Sequence, residues 1–356
     1  MTSNNYPTDK RKSEHIDIVL NQKVTGTNIT TGFEAYQFRH NALPEINFDD
    51  VSLYTTFLGK PLKAPFLVSS MTGGTDQAWK INKHLAVAAE EQGWAMGLGS
   101  VRAAIEQPST AYTFQLREYA PTIPILANLG AAQLNYGYGV NECRQVVELT
   151  QADALIFHLN SLQEVFQPEG DTRFRSLIRQ IAEVCKKLDV PVGVKEVGWG
   201  IDGKVAKLLF EAGIHFIDVA GAGGTSWSQV EKYRSQHKDP LRYQAAEAFT
   251  DWGIPTAECV IDVRQRNPQG TVISSGGLYT GVEGAKAIAL GADLAGYGRS
   301  LLTAATQSTP EQLRFVMQRI ELECKIAMFG IGAATLSDLK RTDRIHHIHT
   351  RTTFRT

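Results

Sequence analysis

Eight short apolar runs, each followed by a longer amphipathic stretch, dominate this sequence. They start at Phe66 (FLVSS), Trp94 (WAMGLGS), Ile125 (ILANLG), Ala154 (ALIFHLN), Val192 (VGVKEVG), His215 (HFIDVAG), Thr271 (TVISSGG) and Asp293 (DLAGYG). The starts lie on average about 32 residues apart, the size of a strand–helix–strand unit. Continuous β-branched runs mark strands buried on both faces, which is what a parallel sheet requires. Between them the pattern predicts helices over Ala78–Gln92, Phe174–Leu188, Lys204–Ala212 and Val282–Leu290, with a further helix over Glu311–Met328. Eight such units predict an α/β chain closed into a (β/α)8 TIM barrel.

The position of the glycines separates that barrel from an open doubly wound sheet. Gly is in surplus, 31 of 356 residues, where average usage is ~7%. Most runs end in Gly or small polar residues: SSMTGG, LGS, NLG, KEVG, AGAGG, SSGG, GYG. A dinucleotide-binding sheet would gather its glycines into one G-x-G-x-x-G turn after the first strand. Gly221-Ala222-Gly223-Gly224 follows the sixth run and does not match that turn, and no P-loop occurs. The plan is therefore one domain: residues 1–65 as N-terminal arm and cap, 66–307 as barrel, 308–356 as C-terminal helix and flexible tail. The long interval from His215 to Thr271 holds an insertion. Within it Thr225–Leu241, polar apart from residues such as Trp227, is expected to be a mobile loop on the active face. The basic, polar tail Lys340–Thr356 is expected to fray.

Lys+Arg is 36 and Asp+Glu is 37, a net charge of -1. That excludes a bulk polyanion partner such as nucleic acid or an anionic membrane. No run approaches the ~18 apolar residues of a membrane span, and the first residues carry no secretory h-region. Cys143, Cys185, Cys259 and Cys324 are far apart and lie in segments read as helix. They read as reduced thiols rather than a disulfide framework or zinc site. His346, His347 and His349 sit in a polar tail and read as a solvated segment.

Barrel enzymes carry their sites in the loops after the strands. Ser274-Ser275-Gly276-Gly277 after the seventh run and Gly296-Tyr297-Gly298-Arg299 after the eighth form a phosphate cup, because bare glycines let backbone N–H groups approach closely. Lys195 ends the fifth run. Its ammonium either faces negative charge on a bound ring system, such as the N1/O2 side of a reduced flavin, or pairs with a neighbouring strand's carboxylate. Ser69-Ser70-Met71-Thr72-Gly73-Gly74 and Asn128 end the first and third runs and suit a flat heteroaromatic edge. His158 and Asn160, two apart, share one face of the fourth run's end. Gln163 and Glu164 follow, either capping the next helix or placing a carboxylate beside amides, which suits Mg2+. Lys10-Arg11-Lys12 reads on charge alone as a solvated arm.

Together RKSEH, HNALPEI, SSMTGGT, LGSVRAA, ANLGA, HLNSLQE, VKEVGWG, AGAGGTSW and SSGGLYTG resemble, in order, the type 2 isopentenyl-diphosphate isomerase family, from about Arg11 to about Lys340. The resemblance implies a cytoplasmic homo-oligomer, tetramer or octamer, that depends on FMN, NADPH and Mg2+ and interconverts isopentenyl and dimethylallyl diphosphate. It implies that Arg11 and Lys12 clamp the diphosphate with His15 nearby, helped by Ser100 and Arg102. Ser70, Met71, Thr72, Gly73, Ser100, Asn128, Lys195 and Thr225 would line FMN, with Gly276, Gly277, Leu278, Tyr279, Gly298 and Arg299 at its phosphate. His158, Asn160 and Gln163 would face substrate, and Glu164 would hold Mg2+. Val101 and Tyr279 stand where the family commonly has a polar residue and an Arg.

The resemblance also implies flavin-assisted proton transfer: the reduced flavin protonates the terminal methylene, and the flavin or a group near Gln163 takes the C2 proton. NADPH would serve only to reduce FMN. Two other readings use the same barrel. An FMN-dependent oxidoreductase of a small hydroxy acid would need a His base on the late strands, and one of nucleotides a Cys in the Thr225–Leu241 segment; neither is present. A flavin redox sensor would need neither the basic arm nor Glu164.

Overall fold

The computed structural model describes residues 8–236, 238–307 and 309–348 of the chain. The eight apolar runs form strands β1 (Phe66–Val68), β2 (Ala95–Ser100), β3 (Ile125–Gly130), β4 (Ala154–His158), β5 (Val192–Lys195), β6 (Phe216–Asp218), β7 (Thr271–Ser274) and β8 (Leu294–Tyr297). Each pairs in parallel with the next and β8 pairs with β1, so the sheet closes. The barrel read from the runs is the fold observed.

The helices that matter below are α1 (Thr8–Asn21), α2 (Asp76–Gln92), α3 (Ser161–Phe166), α4 (Trp227–Ser235), α5 (Gly281–Ala289), α6 (Arg299–Gln307) and α7 (Pro310–Ile331). Their ends follow local rules. Thr75 caps α2 by accepting from the Ala78 N–H, and Gly93 closes it in the left-handed region. Thr309 and Pro310 open α7, whose Leu313, Met317, Ile320, Cys324 and Met328 recur at helical spacing and are buried. This face packs on α5 and α2, so the C-terminal helix belongs to the barrel's outer layer.

Inside the barrel Leu67, Leu126, Ile156, Phe216, Ile273 and Leu294 form a separate apolar cluster, completed by Phe57 and Leu62. The latter two come from a hairpin, Thr55–Phe57 with Lys60–Leu62, whose turn residues Leu58 and Gly59 both have positive φ. The Phe57 ring meets Phe216 edge to face at 5.3 Å. The hairpin thus plugs one end of the barrel, leaving the carboxyl end for chemistry. The sequence pattern in residues 1–65 gave no sign of this plug, because three-residue strands are too short to show alternation.

The described part of the tail, residues 340–348, differs from expectation. Ile345–His347 pairs antiparallel with Tyr36–Phe38, and Lys340 Nζ lies 2.6 Å from Asp293. A distant strand edge supplies the hydrogen bonds that the tail's own sequence does not announce. His346 and His347 are exposed on that strand, and His349 lies outside the described residues.

Candidate active site

A cavity of about 270 Å³ opens at the carboxyl rim of the barrel. Strand register builds its floor. Gly130, His158, Lys195 and Asp218 are successive cross-strand partners from β3 to β6. Parallel partners point to the same side of a sheet, so three polar side chains end one belt.

The cavity gathers almost every residue singled out above. From β1 and β2 come Ser70, Met71, Thr72 and Ser100; from β3 to β5, Asn128, His158 and Lys195. Asn160, Gln163 and Glu164 line it from the β4 loop and α3, and Arg102 and Thr225 from the flanks. Gly276, Gly277, Leu278, Tyr279, Gly298 and Arg299 form the phosphate-cup side. Lys12 and His15 reach it from α1. Gly73 is not among the lining residues: a Cβ there would fall 2.1 Å from the Phe114 ring, so this glycine serves packing behind the wall. The Arg11 side chain lies outside the described residues.

The β4 end is the densest polar cluster. His158 Nδ1 is 2.8 Å from Asn128 Oδ1; a carbonyl oxygen only accepts, so Nδ1 carries the proton and the ring orientation is set. Asn160 Nδ2 donates to Glu164 Oε1 at 2.6 Å, and the Asp171 N–H donates to Glu164 Oε2 at 2.6 Å. Gln163 and Glu164 therefore do not cap α3, which has no side-chain cap. Asp171 also accepts from Arg102 Nη1 at 2.5 Å and from Gln133 Nε2 at 2.7 Å, tying the Glu164 side of the cavity to its basic side. Lys12 Nζ donates to the Ser100 carbonyl at 3.0 Å and lies over the Phe114 ring. The solvated arm read from charge alone is thus a helix that aims Lys12 inward.

The segment Thr225–Leu241 differs most from expectation. Instead of a mobile loop it holds α4, with Gln229, Glu231, Lys232, Arg234 and Ser235 all buried. Its polarity is paired rather than solvated. Glu231 Oε1 meets His15 Nε2 at 2.9 Å and accepts from Gln163 Nε2 at 3.1 Å. Arg234 binds Glu231 at 2.5 Å, Glu169 at 2.9 Å and Glu14 at 3.2 Å. Lys232 pairs with Glu247. The His15 and Trp227 rings meet edge to face at 5.0 Å. Helices α1, α3 and α4 are thereby locked over one side of the cavity. Glu231 and Arg234 were missed by sequence reasoning; their one local signal is the i,i+3 spacing of opposite charges.

Electrostatics differ around the rim. Burial pushes Glu231 up, but His15 and Arg234 outweigh it and hold the carboxyl at about 2. Burial pushes Glu196 up to about 7 although its Oε2 accepts from Gly198, Trp199 and Gly200 N–H. Burial also pushes Lys195 down, opposed by Asp218 and Glu196.

The donor set fits two groups. Five buried side-chain polar atoms among the described residues lack a partner, and three of them, Ser69 Oγ, Asn160 Oδ1 and Ser300 Oγ, belong to cavity-lining residues. Such orphans are rare in a closed core and point to a ligand. Gly276 and Gly277 line the cavity and are packed too closely from behind for any larger residue: a Cβ on Gly276 would lie 2.2 Å from the Gly221 carbonyl, and one on Gly277, at φ 80, 2.5 Å from Thr31. Ser69, Ser300 and this cradle fit a phosphate-bearing cofactor such as FMN. The Tyr279 N–H is not part of it, because Glu283 Oε2 accepts it at 2.8 Å while capping α5. Glu164 with the orphaned Asn160 oxygen offers hard oxygen donors that fit Mg2+. No group of three or more His, Cys, Asp or Glu among the described residues could hold a metal alone, so water and ligand oxygens must complete the shell.

Comparison with known proteins agrees with this geometry. The model of the FMN-dependent dehydrogenase family matches residues 7–119 and 146–346. A curated relative from Oceanobacillus iheyensis, named isopentenyl-diphosphate delta-isomerase, is 56% identical over 337 residues, 95% of this chain and 96% of its own. A relative of the same name from a Nostoc species is 46% identical over 347 residues, 98% of each chain. Among solved structures, a putative lactate oxidase from Pediococcus acidilactici superposes with a TM-score of 0.68 over 95% of this chain and 94% of its own, at 16% identity. A mandelate oxidase bound to benzaldehyde gives 0.65 over 94% of each chain at 16% identity. Likeness at that identity speaks to the fold alone.

Proposed function

The chain belongs to the isopentenyl-diphosphate delta-isomerase family of FMN-dependent barrels, and from that premise we propose that it interconverts isopentenyl and dimethylallyl diphosphate using reduced FMN, Mg2+ and NADPH as the initial reductant. The observation that carries this reading is the meeting, in one cavity, of a glycine phosphate cradle, a buried Lys at a strand end, and a separate Glu164–Arg102–Lys12 side suited to a second, anionic ligand.

When bound and reduced, FMN would supply the proton exchange that an unactivated alkene demands. The chain's own residues do the rest. Lys12 and Arg102 answer the diphosphate charge, with Arg11 adjacent in sequence. Glu164 and Asn160 would hold Mg2+, and the Asp171 N–H fixes the Glu164 carboxylate. His158, set by Asn128, and Gln163, set by Glu231, border the C5 chain. Ile16, Val19 and Trp227 give that chain an apolar wall and exclude water. Lys195, at the end of β5 on the cavity, would stand against the cofactor's ring system. The same membership supports a cytoplasmic homo-oligomer. No helix among the described residues is long and apolar enough to cross a membrane.

One assay tests the reading. The purified protein, reduced anaerobically and given Mg2+ and isopentenyl diphosphate, should yield the dimethylallyl isomer. No product, or oxidation of lactate or mandelate at a comparable rate, would overturn it. Glu164→Gln should retain the yellow colour of bound FMN but lose activity by on the order of 10²-fold or more together with its Mg2+ dependence. Retained Mg2+ dependence in that variant would remove Glu164 as the metal ligand.

A further inference from the structure

Lys195 reaches the cavity, but the carboxylate that answers its charge does not. Asp218 is Lys195's cross-strand partner on β6. It is 1% exposed, on the same belt as Lys195, and is not among the residues that line the cavity. The two make no direct ion pair. Lys195 Nζ instead donates to the Glu196 carbonyl, which engages one of its three N–H groups. Of the two carboxylates acting on Lys195, Asp218 acts more strongly. The other, Glu196, is turned to backbone amides and titrates near neutrality, pushed up to about 7 by burial.

Asp218 has further partners, and both belong to the cavity. Its Oδ1 accepts from Ser275 Oγ at 2.6 Å, immediately before the Gly276-Gly277 cradle. The same oxygen accepts from the Ala220 N–H at 3.3 Å. Ala220 lines the cavity with φ 40, a left-handed conformation that a non-glycine residue keeps only when its surroundings impose it. One buried carboxylate therefore touches the strand-six turn and the phosphate loop, and lies beside the strand-five ammonium.

We propose that Asp218 is the positioning residue of the flavin side: from its buried place beside Lys195 its carboxylate keeps the Lys195 ammonium charged and aimed at the ring system, and holds the Ala220 turn and Ser275 hydroxyl in register with it. The proposal rests on the reading that Lys195 lies against bound FMN. A lysine removed from water loses its proton unless a nearby negative charge compensates. Asp218 is placed to compensate without presenting its own charge to the ligand. Lys195 then favours the anionic reduced flavin, and Asp218 acts only through it.

The test is the two-electron midpoint potential of FMN bound to the full chain, measured in Asp218→Asn, Lys195→Met and the double variant. Lys195→Met should lower the potential. Asp218→Asn should also lower it, by about tenfold in the ratio of reduced to oxidised FMN affinity, which is about 30 mV. In the Lys195→Met background Asp218→Asn should add nothing. A shift of the same size in both backgrounds, a rise in potential, or no shift while Lys195→Met does shift would overturn the proposal alone. An unchanged potential in Lys195→Met would overturn the Lys195 reading and the proposal with it. Should Asp218→Asn fail to fold with FMN, Ser275→Ala carries the same test. It weakens the support of the Asp218 charge, so a smaller fall is expected that disappears in Lys195→Met; no fall, or one that persists there, overturns the proposal.

Discussion

Two buried glutamates flank the cavity and behave oppositely. Glu231 belongs to the cover made by α1, α3 and α4, and is held at about 2. Glu196 belongs to the loop after β5, and is pushed up to about 7. Both are removed from water, so burial alone does not distinguish them. The difference is the source of the compensating charge. Glu231 has the full positive charge of Arg234 and the His15 ring, delivered from α4 itself and from a helix more than 200 residues earlier. Glu196 has three backbone dipoles from its own loop and a share of Lys195. The cover is thus an assembled ionic structure, whereas the rim beside β5 is a local turn whose carboxylate is easily neutralised.

The largest effect should come from breaking the cover. Arg234→Leu leaves Glu231, Glu169 and Glu14 facing one another without their shared cation, and Glu231 is wholly buried. Removing one member of such a network costs about 3–5 kcal/mol. Denaturant unfolding should show that loss. Flavin absorbance should survive, because the rim and cradle do not depend on Arg234. Loss of flavin at native stability would mean that the two regions are one.

The pH dependence sharpens the contrast. Glu196 has a raised folded value, so its contribution is fully present below about 4.5 and is lost as pH rises through about 7. Glu231 has a lowered one, so its contribution is present above about 4.5 and is lost as pH falls through about 2. Glu196→Gln should remove a decline of roughly 3 kcal/mol between pH 4.5 and 7 and leave the acid limb intact. Stability profiles of the two proteins, measured by denaturant at each pH, decide it; superimposable curves would show that Glu196 is ionised throughout.

The smallest effect is local to the cover's inner edge. Lys12 donates to the Ser100 carbonyl and lies over the Phe114 ring. Lys12→Ala should raise the KM for isopentenyl diphosphate about tenfold, the weight of one charge-assisted contact, with FMN affinity unchanged. A fall in FMN affinity instead would place Lys12 on the rim side of the comparison.

Legibility followed the same division. Lys195, the Gly276-Gly277 cradle and the His158–Glu164 cluster were readable because each lies at the end of a strand whose pattern is local. Asp218 ends a strand just as visibly, but nothing in HFIDVAG shows that its partners are Lys195 and Ser275. Thr225–Leu241 was misread because a run of Gln, Glu, Lys and Arg is chemically the same in solvent as in a paired interior. Gly73 lies off the cavity lining with the Phe114 ring behind it, and in one dimension such a glycine looks like one that admits a ligand.

The sequence by itself determined the barrel, since eight buried runs spaced for crossover helices leave a parallel sheet little choice but closure. It also marked the strand ends that line the cavity, because glycine and polar residues gather there in place of the apolar residues of the strands. Only the tertiary structure decided which charges compensate which. Pairing β5 with β6 sets Asp218 beside Lys195, and docking α1 sets His15 against Glu231. Those pairings span long stretches of chain, and the energy of a buried charge depends on what surrounds it in space rather than on what precedes it in sequence.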